Sequence, residues 1–295
     1  MKKIIGFACI LMASAMLFSC NDTEEKKPQS TESSVEFEEN DFEVPQDGLD
    51  KDNYLNFKDT DEKTTEAVTE EATEAVTTTA INYDNAPAPD YKKATYIDVP
   101  FMSQENFPTG CELVSTSMLL SYYGFDLAPI KIIEDGYLKS SEIAVKDGKR
   151  YGGDPNEVFI GNPKEKNGYG CYSEAIVKAL KKYFENESAV AYTLDDKDLP
   201  EICENFIANG EPVIIWASID MKPLESGENS NWIIEATGEE FKWSSNEHCM
   251  VLVGYDDYYY YIHDPQKGAF TSYKRCDVDV RYDEMGRQAV AVTAW

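Results

Sequence analysis

Residues 104–124, QENFPTGCELVSTSMLLSYYG, place a cysteine where a helix is expected to begin. Thr109 and Glu112 have the S/T-x-x-E spacing of a capping box, which predicts a helix that starts at Gly110. Cys111 then lies in the first turn, where unpaired backbone N–H groups and the helix dipole favour a thiolate over a thiol. The stretch indicates a nucleophile, while a packing role for this cysteine stays open.

His248 and His263 are the chain's two histidines and therefore the candidates for a general base. The run HCMVLVGYDDYYYYIHDP predicts a hairpin with its turn at the two central aspartates. In an antiparallel hairpin the numbers of two paired residues have a constant sum, which is about 513 for this turn. His248 is therefore expected opposite residue 264 or 265, with Asp264 as its neighbour. The histidine of such a His–Asp pair could take the proton of Cys111. Because side chains alternate along a strand, His263 should point away from Asp264, and a structural role is expected for it. A surface histidine at a strand end is the alternative for His248.

Gln104 lies in the loop before the predicted helix. A side-chain amide at this place could donate to a developing oxyanion, together with the backbone N–H of Cys111. The composite of cysteine, histidine, aspartate and glutamine would suit acyl transfer through a covalent intermediate.

Two segments, VPFMSQENFPTGCELVSTSMLLSYYGFD and HCMVLVGYDDYYYYIHDPQKG, resemble the C39-like cysteine peptidases, which have a papain-like fold. The resemblance covers residues 96–295. It implies roles for four residues: Cys111 as nucleophile, His248 as base, Asp264 as the group that orients the base, and Gln104 as oxyanion donor.

The elements that must position these residues are helices first and strands afterwards. After the helix that carries Cys111, periodic apolar residues predict a second helix over about 172–184 and a short one that ends at Gly210. The strand-rich remainder comprises VIIWASI, WIIEA, the hairpin and RQAVAVTAW, and ATYIDVPFMSQ is expected to be an entry strand. Residues 151–170, rich in Gly and Asn, indicate a loop. The predicted class is α+β, with N-terminal helices packed on an antiparallel sheet.

The beginning of the chain predicts export. MKKIIGFACILMASAMLFSC has the layout of a signal peptide, and LFSC resembles a lipobox, so residues 1–20 are expected to be a lipoprotein signal with acylation at Cys20. An ordinary signal peptide is the alternative. Residues 21–95 are rich in Glu, Asp and Thr and predict a disordered tether. Residues 96–295 would then be a peptidase domain at the extracellular face of the cytoplasmic membrane.

Charge and cysteine content limit the partners. The net charge of −28 disfavours nucleic acid and anionic lipid surfaces, so membrane contact is expected through the lipid only. Five cysteines follow Cys20, an odd number, so at least one thiol outside an intramolecular disulfide is expected. Cys171 also begins a helix and is interpreted as structural. No cofactor and no metal are expected, because no C-x-x-C pair occurs and Cys249 should face away from His248.

These observations predict an extracellular, monomeric thiol hydrolase that cleaves a peptide or amide bond. A hydrolase acting on peptidoglycan peptides would use the same residues. A non-catalytic surface-binding module that keeps the fold is the alternative from another class.

Overall fold

The computed structural model describes residues 81–194, 196–227 and 229–295. The predicted signal, the lipidation at Cys20 and the tether up to residue 80 lie outside the described residues. Within the described part, no helix combines the length and the apolar character needed to cross a bilayer. The helices are α1 Cys111–Tyr122, α2 Lys131–Glu134, α3 Ser173–Tyr183, α4 Leu199–Asn205 and α5 Arg275–Glu284. The strands are β1 Thr95–Tyr96, β2 Ser140–Ser141, β3 Ala144–Lys146, β4 Lys149–Gly152, β5 Phe159–Ile160, β6 Ala189–Thr193, β7 Val213–Ser218, β8 Asn231–Ile234, β9 Glu240–Lys242, β10 Glu247–Tyr255, β11 Tyr259–Asp264, β12 Gly268–Lys274 and β13 Ala289–Ala294.

The main layer is a seven-stranded sheet in which every pairing is antiparallel. Six strands follow the order β12-β11-β10-β7-β13-β6, and β1 pairs with β10. Helix α1 packs against β10 and β7, and α3 packs against β6 and β13. The predicted α+β arrangement, with early helices on an antiparallel sheet, is confirmed. Of the predicted entry strand, Thr95–Tyr96 forms β1, and the Ile97 N–H donates to the Val253 carbonyl at 2.7 Å.

Helix α1 is the centre of the core. Its residues from Cys111 to Leu120 are all buried, so no side of these turns faces solvent. Burying each large apolar side chain stabilises the fold by about 1.5–3 kcal/mol. The hydroxyl groups on the helix have partners: Ser115 Oγ donates to the carbonyl of Cys249 at 3.1 Å, and Ser117 Oγ donates to that of Leu127 at 2.7 Å. The helix that carries the candidate nucleophile is therefore fixed to β10 by packing and by hydrogen bonds.

The predicted capping box is wrong. Helix α1 begins at Cys111 after Gly110, and no side chain caps it. Thr109 Oγ1 donates instead to the carbonyls of Asn162 and Glu165, at 3.3 and 3.0 Å. The Glu112 carboxyl group turns into the core, where Oε1 accepts the Cys171 N–H at 2.7 Å. Tertiary partners have replaced the local ones that the spacing suggested.

A second, four-stranded sheet has the order β3-β4-β8-β9. Its own small apolar cluster comprises Ile160, Trp232, Ile234 and Trp243. The segment predicted to be a loop contributes residues to two strands. Tyr151 of β4 pairs with Ile233, and Phe159 of β5 pairs with Ser140, each in a parallel ladder. Such a pairing joins residues far apart in the chain, and a local pattern of Gly and Asn does not reveal it.

Residues 81–95, which were included in the predicted tether, contact the folded domain. The Tyr91 ring stacks on Phe270 with centroids 4.2 Å apart. The Asp90 N–H donates to Tyr261 Oη at 3.0 Å, and Tyr259 Oη donates to the Pro87 carbonyl at 3.1 Å. The packed part of the chain thus begins before residue 96.

Candidate active site

The hairpin of β10 and β11 brings His248 and Asp264 together. His248 Nε2 lies 2.8 Å from Asp264 Oδ1, and both side chains are buried. The register differs from the predicted one because the turn is centred one residue later: Asp256 pairs with Tyr259, and Tyr255 with Tyr260. The bulge between Leu252 and Gly254 then reduces the offset from two residues to one. The offset does not separate the pair, since Asp264 is the last residue of β11 and its side chain reaches across the end of the ladder.

Three donors hold the Asp264 carboxylate. Besides His248, the Tyr273 hydroxyl donates to Oδ2 at 2.6 Å and the Gln266 N–H donates to Oδ1 at 2.9 Å. Burial alone would raise the pKa of Asp264, but these hydrogen bonds outweigh it and lower that pKa to about 2. The group is therefore ionised at neutral pH. Tyr273, on β12, was not found from the sequence because nothing local distinguishes it from the other tyrosines.

The ionised Asp264 fixes the tautomer of His248. The ring donates Nε2–H to the carboxylate, and Nδ1 is then the unprotonated nitrogen. Nδ1 is buried and has no hydrogen-bond partner among the described residues. A buried, unpaired acceptor of this kind is the atom that can receive a proton.

Cys111 begins α1, which packs against β10, the strand that carries His248. The Cys111 sulfur comes within 4.8 Å of carboxyl oxygens of Glu112 and Glu247. Sγ donates to Glu112 Oε2 at 3.5 Å, and Cys111 is only 4 % exposed. Glu247, the carboxyl group near the sulfur, directly precedes His248 in β10, and no hydrogen bond joins the sulfur to His248 Nδ1 among the described residues.

The thiolate predicted from the helix start is not the resting form. Burial raises the pKa of the Cys111 thiol well above its ordinary value, and the carboxyl groups of Glu112 and Glu247 raise it further. The expected low pKa was wrong, because the sequence did not show that two carboxyl groups would be buried around the sulfur.

Glu112 and Glu247 are the unexpected members of the site. Together with Cys111 they form the one group of three Cys, His, Asp or Glu side chains, among the described residues, whose polar atoms come within 4.8 Å of one another. Such a group could share protons or hold a cation. Burial raises the pKa of Glu112 to about 7, and burial together with Glu112 raises that of Glu247. Glu247 could have been suspected from the sequence, as a carboxyl group at the start of an apolar strand.

Gln104 is tied to the same end of the sheet. Its backbone N–H donates to the Pro265 carbonyl at 2.9 Å, so its loop lies against the residue that follows Asp264. Its side-chain Nε2 donates to the carbonyls of Phe107 and Pro108, at 3.3 and 3.4 Å. These bonds are long, and Oε1 is buried without a partner among the described residues.

The other candidate residues lie apart from this chemistry or serve packing. Both ring nitrogens of His263 are used, since Nδ1 accepts the Phe270 N–H at 3.1 Å and Nε2–H donates to the Val99 carbonyl at 2.8 Å. Cys171 is fully buried and its N–H binds Glu112. The five cysteines of the described part are free thiols, namely Cys111, Cys171, Cys203, Cys249 and Cys276.

A cavity of about 560 Å³ lies between the loop 161–169 and a second group of residues, namely Gly227, Asn229, Ser230, Trp243 and Ser245. Its walls are polar and carry both charges; they include Glu142, Arg150, Glu165, Lys166 and Trp243. The four predicted catalytic residues do not line it. It adjoins the site through Thr109, which binds the carbonyls of the same loop two residues before Cys111.

Comparison with known proteins agrees with this architecture. The profile of the Peptidase_C39 like family matches residues 96–290. The uncharacterized protein YvpB of Bacillus subtilis (strain 168) is 26 % identical over 202 residues, which cover 66 % of this chain and 75 % of YvpB. A crystal structure of a protein from Bacillus anthracis, provisionally assigned as a C39-like peptidase, is 31 % identical with a TM-score of 0.57. The match covers 68 % of this chain and 98 % of that one. By the extent of the profile match and by the structural likeness, the chain belongs to the Peptidase_C39 like family.

Proposed function

We propose that this protein is a cysteine peptidase that hydrolyses a peptide or amide bond with Cys111, His248 and Asp264. The observation that carries the proposal is the buried His248–Asp264 pair, 2.8 Å apart, whose histidine lies on the strand against which the helix of Cys111 packs. Family membership supports peptidase activity, and the hydrogen bond between His248 and Asp264 supports their proposed roles as base and orienting group.

In the proposed reaction, His248 Nδ1 takes the proton of the Cys111 thiol as the sulfur attacks the carbonyl carbon. Asp264 stabilises the imidazolium that forms. The tetrahedral intermediate collapses when the imidazolium gives its proton to the leaving nitrogen, the C–N bond breaks, and a thioester remains. Water then attacks the thioester while His248 takes its proton; the acid product leaves, and that proton returns to the sulfur.

The oxyanion is assigned to the Cys111 N–H and to Gln104 Nε2. The two long hydrogen bonds of Nε2 to its own loop are weak enough to be exchanged for one to a charged oxygen, which is stronger.

The cavity beside the site supports a polar peptide as substrate, because its walls offer carboxylate, guanidinium, ammonium and amide groups rather than an apolar surface. Peptides of the cell wall belong to this class. Digestion of purified cell walls, followed by analysis of the released fragments, tests them directly; no new fragments would leave soluble peptides as the substrate class.

The decisive experiment compares wild type, Cys111→Ala and the matched control Cys276→Ala on a library of fluorogenic peptides. Cys276 is partly exposed on α5 and lies outside the site. Hydrolysis by wild type and by the control, with none by Cys111→Ala, is expected. Equal hydrolysis by all three proteins would overturn the proposal, and no hydrolysis by wild type, across soluble and cell-wall peptides, would favour a binding module.

Export and lipid anchoring at Cys20 are also proposed, on the sequence alone. Detergent-phase partition of the expressed full chain tests this. Wild type should enter the detergent phase and Cys20→Ala should stay in the aqueous phase; partition of both proteins into the same phase would contradict anchoring through this residue.

A further inference from the structure

Two carboxyl groups without a counter-charge flank the Cys111 sulfur. Glu112 is fully buried and Glu247 is 7 % exposed. Among the described residues, no lysine, arginine or histidine forms an ion pair with either group, and Glu247 Oε1 has no hydrogen-bond partner. A buried carboxylate with no cation is costly, so protonation is the route by which such a group becomes neutral.

The pocket around Glu112 is built to hold it. The Cys171 N–H donates to Oε1 at 2.7 Å, and Gly170 passes so close that a Cβ there would collide with the same oxygen. Oε2 lies 3.5 Å from the Cys111 sulfur. One oxygen is therefore anchored on the backbone, and the other faces the candidate nucleophile.

The contact between Oε2 and Sγ can run in either direction. With Glu112 ionised, the thiol donates to the carboxylate, and a negative charge opposes formation of a thiolate. With Glu112 protonated, its O–H can donate to the thiolate. The proton of the carboxyl group thus decides whether this neighbour opposes or supports the reactive form of the sulfur.

We propose that Glu112, with Glu247 as its partner, is a positioning residue that supports the Cys111 thiolate only while the pair holds its protons. The site then works in acid to neutral solution and is turned down as the pair ionises. This inference rests on the proposed function, in which Cys111 is the nucleophile. In the attack step the thiol proton goes to His248 Nδ1, and the Glu112 O–H donates to the sulfur without being transferred.

The titratable groups that face the pair are consistent with this role. They are Cys111, Cys171, Cys249 and Tyr172, and none of them brings a positive charge. Burial raises the pKa of each, so these groups stay neutral as Glu112 ionises. His248 precedes Cys249 in β10 and is the nearby group that can gain a positive charge when the thiol proton is transferred.

The test is the pH dependence of iodoacetamide labelling at Cys111 in the full chain, resolved by peptide mass spectrometry with Cys276 as internal reference. Glutamine keeps the shape of Glu112 and can donate through its amide, so Glu112→Gln mimics the protonated form. We expect its labelling midpoint to move to lower pH by about one unit or more. Glu247→Gln should move it in the same direction. The matched control Glu105→Gln removes an exposed carboxylate from the preceding loop and should leave the midpoint unchanged.

Peptide hydrolysis gives a second readout. Wild type should lose kcat/KM as pH rises through about 7, and Glu112→Gln should abolish that alkaline loss. An infrared band of a protonated carboxylic acid at neutral pH, stronger in wild type than in Glu247→Gln, is also expected, because the variant keeps only the proton of Glu112.

An unchanged labelling midpoint in Glu112→Gln would overturn the inference. It would also be overturned by a stoichiometric metal ion in purified wild type that Glu247→Gln lacks. Labelling needs no turnover, so failure of the inference is separate from failure of the proposed function, which the Cys111→Ala variant decides.

Discussion

His248 Nε2 and Asp264 Oδ1 lie 2.8 Å apart, and each side chain is 1 % exposed. In the proposed reaction an ion pair forms here, shielded from solvent, so its strength would not depend on salt as that of a surface pair does. The carboxylate is already held by three donors, and the proposed imidazolium would therefore form beside a charge that is in place before substrate arrives.

Replacing Asp264 with asparagine should remove this charge while preserving shape. We expect kcat to fall by roughly 10²- to 10⁴-fold, because the imidazolium loses its counter-charge and the ring loses its fixed tautomer. Peptide hydrolysis measures the change. The control Asp257→Asn alters an exposed aspartate at the turn of the same hairpin and should keep wild-type activity. Similar losses in both variants would indicate damage to the hairpin rather than a role for Asp264.

Replacing Tyr273 with phenylalanine should remove the 2.6 Å hydrogen bond to Asp264 Oδ2 and nothing else from the site. A hydrogen bond to a charged group contributes about 1.5–3 kcal/mol, so we expect kcat to fall by roughly ten-fold or more with KM little changed. Tyr259→Phe is the control, because its hydroxyl bonds to the Pro87 carbonyl away from the site. An unchanged kcat, with or without a rise in KM, would contradict a role for Tyr273 in orienting the proposed catalytic pair.

Replacing each histidine with glutamine should have different effects: the change at His248 should affect activity, and the change at His263 should affect stability. His248→Gln should abolish hydrolysis, since the proton acceptor is lost, and should unfold near the wild-type temperature. His263→Gln should lower the free energy of unfolding by about 1–3 kcal/mol, because it disturbs two buried hydrogen bonds, while the folded fraction stays active. Activity assays and thermal unfolding measure both effects. Loss of activity in folded His263→Gln would assign that residue to the site.

The stability of the whole protein should depend on Glu112. Its pKa is about 7 in the folded protein and near 4.5 in the unfolded chain, so the folded state holds the proton more tightly. The stabilisation is complete below pH 4.5 and is lost as pH rises to 7. The loss should be on the order of 3 kcal/mol.

Denaturant unfolding at pH 5 and pH 8 tests that dependence. Relative to wild type, Glu112→Gln should gain stability at the higher pH, since it has no proton to lose. A difference between wild type and variant that is the same at both pH values would show that Glu112 does not titrate in this range.

Local patterns predicted the principal elements of the fold. The periodic apolar residues after Cys111 predicted a buried helix, and the helix over Ser173–Tyr183 and the short helix before Gly210 are found where they were expected. Strand-rich segments separated by a two-aspartate turn predicted the hairpin, which placed Asp264 beside His248. These features depend on neighbours in the chain, so the sequence was sufficient to find them.

What the tertiary structure decided is the electrostatic setting of the sulfur. The spacing of Thr109 and Glu112 favoured a cap and a thiolate, but Glu112 turns inward because the Cys171 N–H and a gap at Gly170 receive it. Glu247 and Tyr273 join the site from strands that meet only in the folded sheet. The sequence determined which groups can react; burial, which depends on distant packing, decided how their protons are held.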